Sequence, residues 1–228
     1  ACIVAILILT AFFLAFPGVD LWFSDLFYNG RRFHLSRLDI LQFIRQFAYL
    51  TGVFIVLWLI AQLVLKLIRP EEPSYIPPNI TLFLLSTLIA GPFLLVNLVL
   101  KRNWGRPRPR NVDVFGGDLP YVEAWRITAH CQGNCSFVSG EASSAFWLIA
   151  VAIVLPAPYR KPVTIAVAVY AGILSLNRIA FGGHFLSDVL ISIALTLLVV
   201  AIGYRLFVSH PPQALAASRL EDGLTRLG

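Results

Sequence analysis

Long apolar runs constrain this chain more than any other feature. Residues 1–16, 38–68, 79–100, 141–155, 163–176 and 184–207 are dominated by Leu, Ile, Val, Phe and Ala, with charged or Pro-containing stretches between them. In hydrocarbon every backbone N–H and C=O needs an internal partner, so such runs must be helical. Of the 228 residues, 58% are hydrophobic and 13% charged, about half the charged share of a soluble domain. The expectation is an all-α, polytopic membrane protein. Residues 1–208 form a six-helix transmembrane bundle that includes its longest loop, 101–139, and residues 209–228 form a polar tail. The second run is long for one span, and its early Gln42, Arg45 and Gln46 imply an interfacial or inward-facing start. Residues 20–28 read as an amphipathic connector, with Asp20 capping a short helix. The chain has no Met and begins at Ala1. Residues 1–16 are taken as a transmembrane helix lacking its start, in preference to the h-region of a signal peptide.

The net charge is +6, with a pI near 9.5. The cations sit at the ends of apolar runs, and no nucleic-acid motif accompanies them, so anionic lipid headgroups or phosphate groups are the expected partners and nucleic acid is not. Cys131 and Cys135 lie four residues apart in the polar loop. A disulfide is favoured there if the loop faces an oxidising compartment. Zinc beside His130 and a pair of free thiols are the alternatives, but no second ligand pair exists for a metal. No cofactor is expected.

Counting spans brings distant residues together. With six helices, the 101–139 loop shares a membrane face with the short loop near residue 180. Lys101, Arg108, Ser139, Arg178 and His184 then lie at one face. Ionisable residues at a membrane boundary are costly unless they pair or work. Three cations around a Ser139-Gly140 helix start make an anion site, because the helix start offers free N–H groups and the positive dipole end. His184 and Asp188, four apart, share a helical face. Asp188 then holds one imidazole nitrogen protonated and leaves the other free to attack or to take a proton.

The stretches Lys101-x6-Arg108-Pro109, Val138-Ser139-Gly140-Glu141 and Asn177-Arg178-x5-His184-x3-Asp188 resemble the K-x6-RP, PSGH and SR-x5-H-x3-D signature of the type 2 phosphatidic acid phosphatase superfamily. The resemblance implies metal-independent phosphate transfer from a lipid. It makes His184 the nucleophile and Asp188 its orienting partner. Lys101, Arg108, Arg178, Ser139 and the Gly140 N–H would hold the phosphoryl oxygens. Asn177 and Val138 are mild departures. Glu141 stands where the family has the His that protonates the leaving oxygen, so either a carboxyl group acts as general acid or the leaving group needs little help. An anomeric sugar phosphate fits the second case. Residues 134–143, NCSFVSGEAS, look like the bacterial lipid A 1-phosphatase branch, and lipid A 1-phosphate is the expected substrate. Phosphatidylglycerophosphate and undecaprenyl diphosphate are alternatives, as is a catalytically inactive lipid-binding relative. A transporter is disfavoured because the polar residues cluster at one face. The bacterial inner membrane is the expected location. The positive-inside rule places the convergent face in the cytoplasm, and the cysteine pair places it in the periplasm. The periplasmic face is the expectation carried forward.

Overall fold

The computed structural model describes residues 1–227 and is all-helical; no β-strand forms among the described residues. The helices are α1 (Cys2–Ala15), α2 (Gly18–Asp25), α3 (Asp39–Ile68), α4 (Pro78–Asn103), α5 (Gly140–Ile153), α6 (Ala157–Ala180), α7 (Leu186–Ser209) and α8 (Ala217–Leu227). Each expected apolar run is one of these helices. Four of them, α3, α4, α6 and α7, are long and apolar enough to cross a membrane. Helices α1 and α5 have 14 residues each, about 21 Å of helix against a hydrocarbon layer of about 30 Å. Helix α1 makes up the difference only if the 86° bend into α2 is counted within one span. Six apolar helices are therefore present, and four meet the length of a full crossing.

Local chemistry sets the helix ends. Pro78 opens α4 where a missing N–H costs nothing. Ser139 caps α5, its hydroxyl accepting the Ala142 N–H at 3.3 Å. Inside α4, residues Ile89–Leu100 wind as a π-helix around Pro92, and the Asn97 amide donates to the Pro92 carbonyl at 2.7 Å. Helix α7 begins at Leu186, two residues after His184, with Phe185 in extended conformation.

Helix α7 is the most buried of the four long helices and α3 the least. Phe13, Val96, Leu100, Phe137, Val138 and Ile191 pack together near the start of α7. Leu59, Phe83, Leu84, Trp147, Ala150 and Val200 fill the other end. Val138, which departs from the family's Pro, is wholly buried in the first group. The tail beyond residue 209 is not a loose strand of chain. Helix α8 docks on the α3–α4 connection, where Glu221 accepts from Lys66 at 2.8 Å and from the Ser74 N–H at 3.0 Å.

Candidate active site

The C-terminal ends of α4 and α6 and the N-terminal ends of α5 and α7 meet at one end of the bundle. Lys101, Arg108, Ser139, Gly140, Glu141, Arg178, His184 and Asp188 gather there. The Asn177 amide donates to the Leu41 carbonyl at 3.0 Å. The departure from the family's Ser thus ties α6 to the start of α3.

His184 is almost completely buried. Its Nδ1 lies 2.7 Å from the Ser136 carbonyl oxygen. A carbonyl only accepts, so Nδ1 carries the proton and Nε2 keeps the lone pair. Burial, then the charges of Lys101, Arg178 and Arg108, pushes the imidazole well below its ordinary pKa. The ring is therefore neutral at pH 7.

Asp188 does not hold the ring in the way the sequence implied. Its Oδ2 lies 4.0 Å from His184 Nδ1, too far for a hydrogen bond. The reason is the helix boundary: His184 precedes α7, so the two residues share no helical face. Asp188 turns back to accept the Phe185 N–H at 2.8 Å and the Ser136 hydroxyl at 2.5 Å. Ser136 is the intermediary, its hydroxyl on Asp188 and its carbonyl on His184.

The cations differ in how they are held. Arg108 donates from Nε and Nη2 to the backbone and side-chain oxygens of Asn134, at 3.0 and 2.6 Å. Asn134 sits within the small ring closed by a Cys131–Cys135 disulfide, whose Cα atoms are 5.7 Å apart. Arg178 packs on Gly183, where a Cβ would come within 2.8 Å of its Nη2 and push the guanidinium aside. Its Nε lies 3.1 Å from Glu141 Oε2, close enough for an ion pair. That contact is poorly aligned, and the buried Nε–H has no hydrogen-bond acceptor among the described residues. Buried donors of this kind ordinarily have partners. The Ser139 hydroxyl accepts at its cap and still has its proton to donate.

Glu141 is an ion-pair acceptor. Arg45 reaches across from α3 and donates to both of its oxygens, from Nε at 3.2 Å to each and from Nη2 to Oε1 at 3.0 Å. Sequence reasoning missed Arg45 as a site residue, although a polar Gln42-Arg45-Gln46 face inside an apolar run carried the signal. It also missed Asp20 and Arg106. Arg106, in the polar loop, is wholly buried. A cavity of about 760 Å³ runs from Arg45, Lys101, Gly140 and Glu141 into an apolar lining that includes Val53, Leu148 and Leu174.

The buried neutral imidazole thus sits in the field of Lys101, Arg178 and Arg108, and Lys101 also lines the apolar cavity. The chain belongs to the PAP2 superfamily, whose family model matches residues 80–211. It is similar to a lipid A 4′-phosphatase of Rhizobium leguminosarum, 37% identical over 207 residues that cover 85% of this chain and 89% of the relative. A lipid A 4′-phosphatase of Francisella tularensis subsp. novicida is 38% identical over 185 residues, covering 78% of this chain and 81% of the relative. One of Rhizobium etli is 34% identical over 211 residues, covering 85% and 80%. No solved structure matches. The names of these relatives carry the 4′ position, not the 1 position that the 134–143 stretch suggested.

Proposed function

We propose that this protein removes the 4′-phosphate of lipid A through a covalent phosphohistidine on His184. That the chain is a phosphatase, a phosphoric monoester hydrolase, follows from its family and its relatives. The observation that carries the mechanism is the Nδ1–Ser136 carbonyl hydrogen bond, which leaves the Nε2 lone pair free. Nε2 attacks phosphorus, the P–O bond to the sugar breaks, and the sugar oxygen leaves with a proton. Water then cleaves the P–N bond, releasing phosphate and restoring the imidazole. Lys101, Arg108, Arg178, the Ser139 hydroxyl and the Gly140 N–H hold the phosphoryl oxygens as charge spreads over them. The cavity receives the acyl chains.

A 4′-oxygen is an ordinary secondary alkoxide, so the easy departure of an anomeric oxygen no longer explains Glu141. Glu141 is the counter-ion of Arg45 and Arg178 at rest. A phosphate arriving on Arg178 displaces it. Released beside the phosphate, its carboxyl group is placed to serve as the donor the leaving oxygen needs.

The site faces the periplasm of a bacterial inner membrane. The disulfide in the loop that builds it supports this side. Arg106 and Arg108, which weigh against it in a simple count of loop charges, are buried and engaged. The test uses purified full-length protein in detergent with a chelator and lipid A bearing both phosphates. Mass spectrometry should show loss of the 4′-phosphate with the 1-phosphate retained, and His184→Ala should abolish it. Loss of the 1-phosphate instead would overturn the position assigned. Release by His184→Ala would overturn the nucleophile.

A further inference from the structure

Next to Asp188 lies a charged cluster whose other members, Asp20 and Arg106, do not line the cavity. Arg106 is fully buried between two buried carboxylates, Asp20 of α2 and Asp188 of α7. Its Nη1 donates to Asp188 Oδ1 at 2.6 Å and to the Ser187 hydroxyl at 2.8 Å. Its Nη2 donates to Asp20 Oδ2 at 2.8 Å, and its Nε to the Val122 carbonyl at 2.8 Å. The guanidinium carbon stands 4.4 Å from the centre of the Phe185 ring. Asp20 in turn accepts the Ser187 N–H at 2.8 Å and the Ser187 hydroxyl at 2.5 Å.

We propose that Asp20 and Arg106 are positioning residues for phosphoryl transfer, a buried chain that fixes Asp188 and, through Ser136, aims the imidazole of His184. This rests on His184 being the nucleophile. The chain of contacts is continuous: Asp20 to Arg106, Arg106 to Asp188, Asp188 to the Ser136 hydroxyl, and the Ser136 carbonyl to His184 Nδ1. Burial alone disfavours the charge on Arg106, and Asp188 and Asp20 outweigh it, so the guanidinium stays a cation. Stability is a poor reason for such a cluster, because buried ion pairs are often matched or bettered by well-packed apolar residues. What a planar fork supplies is orientation. It holds Asp188 Oδ1 and leaves Oδ2 for Ser136. It also makes the short helix α2, outside the three sequence motifs, a support of the catalytic geometry.

The experiment compares Asp20→Asn with wild type on lipid A bearing both phosphates, in detergent, alone and combined with Asp188→Asn. Asp20→Asn should lower kcat about tenfold or more and leave KM within about twofold, because neither residue touches the phosphate. In the Asp188→Asn background the same change should be silent, because its route to His184 is already cut. A wild-type kcat for Asp20→Asn, or losses that multiply in the double variant, would overturn the proposal. If Asp20→Asn does not fold, Ser187→Ala takes its place, with the same expected split and the same silence. Failure of both to fold assigns the cluster to stability and overturns positioning. His184→Ala run in parallel separates the two ideas. Activity in that variant sinks the nucleophile itself, whereas its loss beside an unimpaired Asp20→Asn sinks positioning alone.

Discussion

Both ends of the bundle take basic side chains out of water, but Lys66 at one end is held differently from Lys101 and Arg178 at the other. At the end away from the site, Lys66 is buried with three acceptors: the Pro70 and Glu72 carbonyls at 2.7 and 2.8 Å and Glu221 at 2.8 Å. At the site end, Lys101 lines a cavity and Arg178 keeps a buried donor without an acceptor. A charge whose partners are all present holds a structure together. A charge whose partners are missing stores the capacity to bind something that brings them. The two ends differ in that bookkeeping and not in residue type, which is why composition and charge counts could not tell them apart.

The contrast can be broken at several points. Arg178→Ala should cost about 10²–10³-fold in kcat/KM for phosphate release, the scale of losing one donor to transition-state oxygens. A loss under threefold would mean that the vacant donor is not for substrate. Glu141→Gln should lower kcat about 10²-fold on an alkyl phosphate monoester, and far less on p-nitrophenyl phosphate, whose leaving group needs no proton. Equal effects on both would remove Glu141 from proton transfer. With the free base of His184 as the proposed nucleophile, and with burial and three cations holding its pKa below the ordinary value, kcat/KM should not decline as pH falls to the usual imidazole range near 6.5. Lys101→Ala takes away one of those cations, so its acid limb should move to higher pH. An unmoved limb would break the electrostatic argument.

Smaller effects follow from more distant parts. The Cys131→Ser/Cys135→Ser pair frees the ring that carries Asn134, and should raise KM about fivefold by loosening Arg108. An unchanged KM would show that Asn134 holds its place without the disulfide. Glu221→Gln should leave kcat/KM unchanged and lower the melting temperature by a few degrees. Burial would raise the Glu221 carboxyl, but hydrogen bonds from Lys66 and Ser74 outweigh it and lower the pKa. Its contribution is present above the unfolded carboxylate range and is lost as pH falls through the lowered value. The variant should therefore differ from wild type at pH 7 and converge on it in acid.

Much of the site was legible because short motifs and helix parity act at long range. Lys101, Arg108, Ser139, Arg178 and His184 could be placed at one face by counting apolar runs. Glu141 stood out as a departure, and the structure gives it partners, Arg45 and Arg178. The helix boundary at Leu186 was not legible, since a spacing of four suggests one turn of helix whether or not the turn begins there. That boundary moved Asp188 off His184 and put Ser136 between them. The 4′ position named in the relatives was equally hidden, because the three motifs say nothing of a sugar position.

By itself the sequence determined that the chain is helical and lipid-embedded, since no other backbone arrangement satisfies runs this apolar, and that Lys101, Arg108, Ser139, Arg178 and His184 gather at one end. Only the tertiary structure decided which cations are satisfied and which are vacant, and that Arg106 and Asp20 lie buried behind the nucleophile. The physical reason is that pairing depends on distances of a few ångströms between residues far apart in the chain. Arg106 and Asp20 are separated by 86 positions, and nothing local to either one names the other.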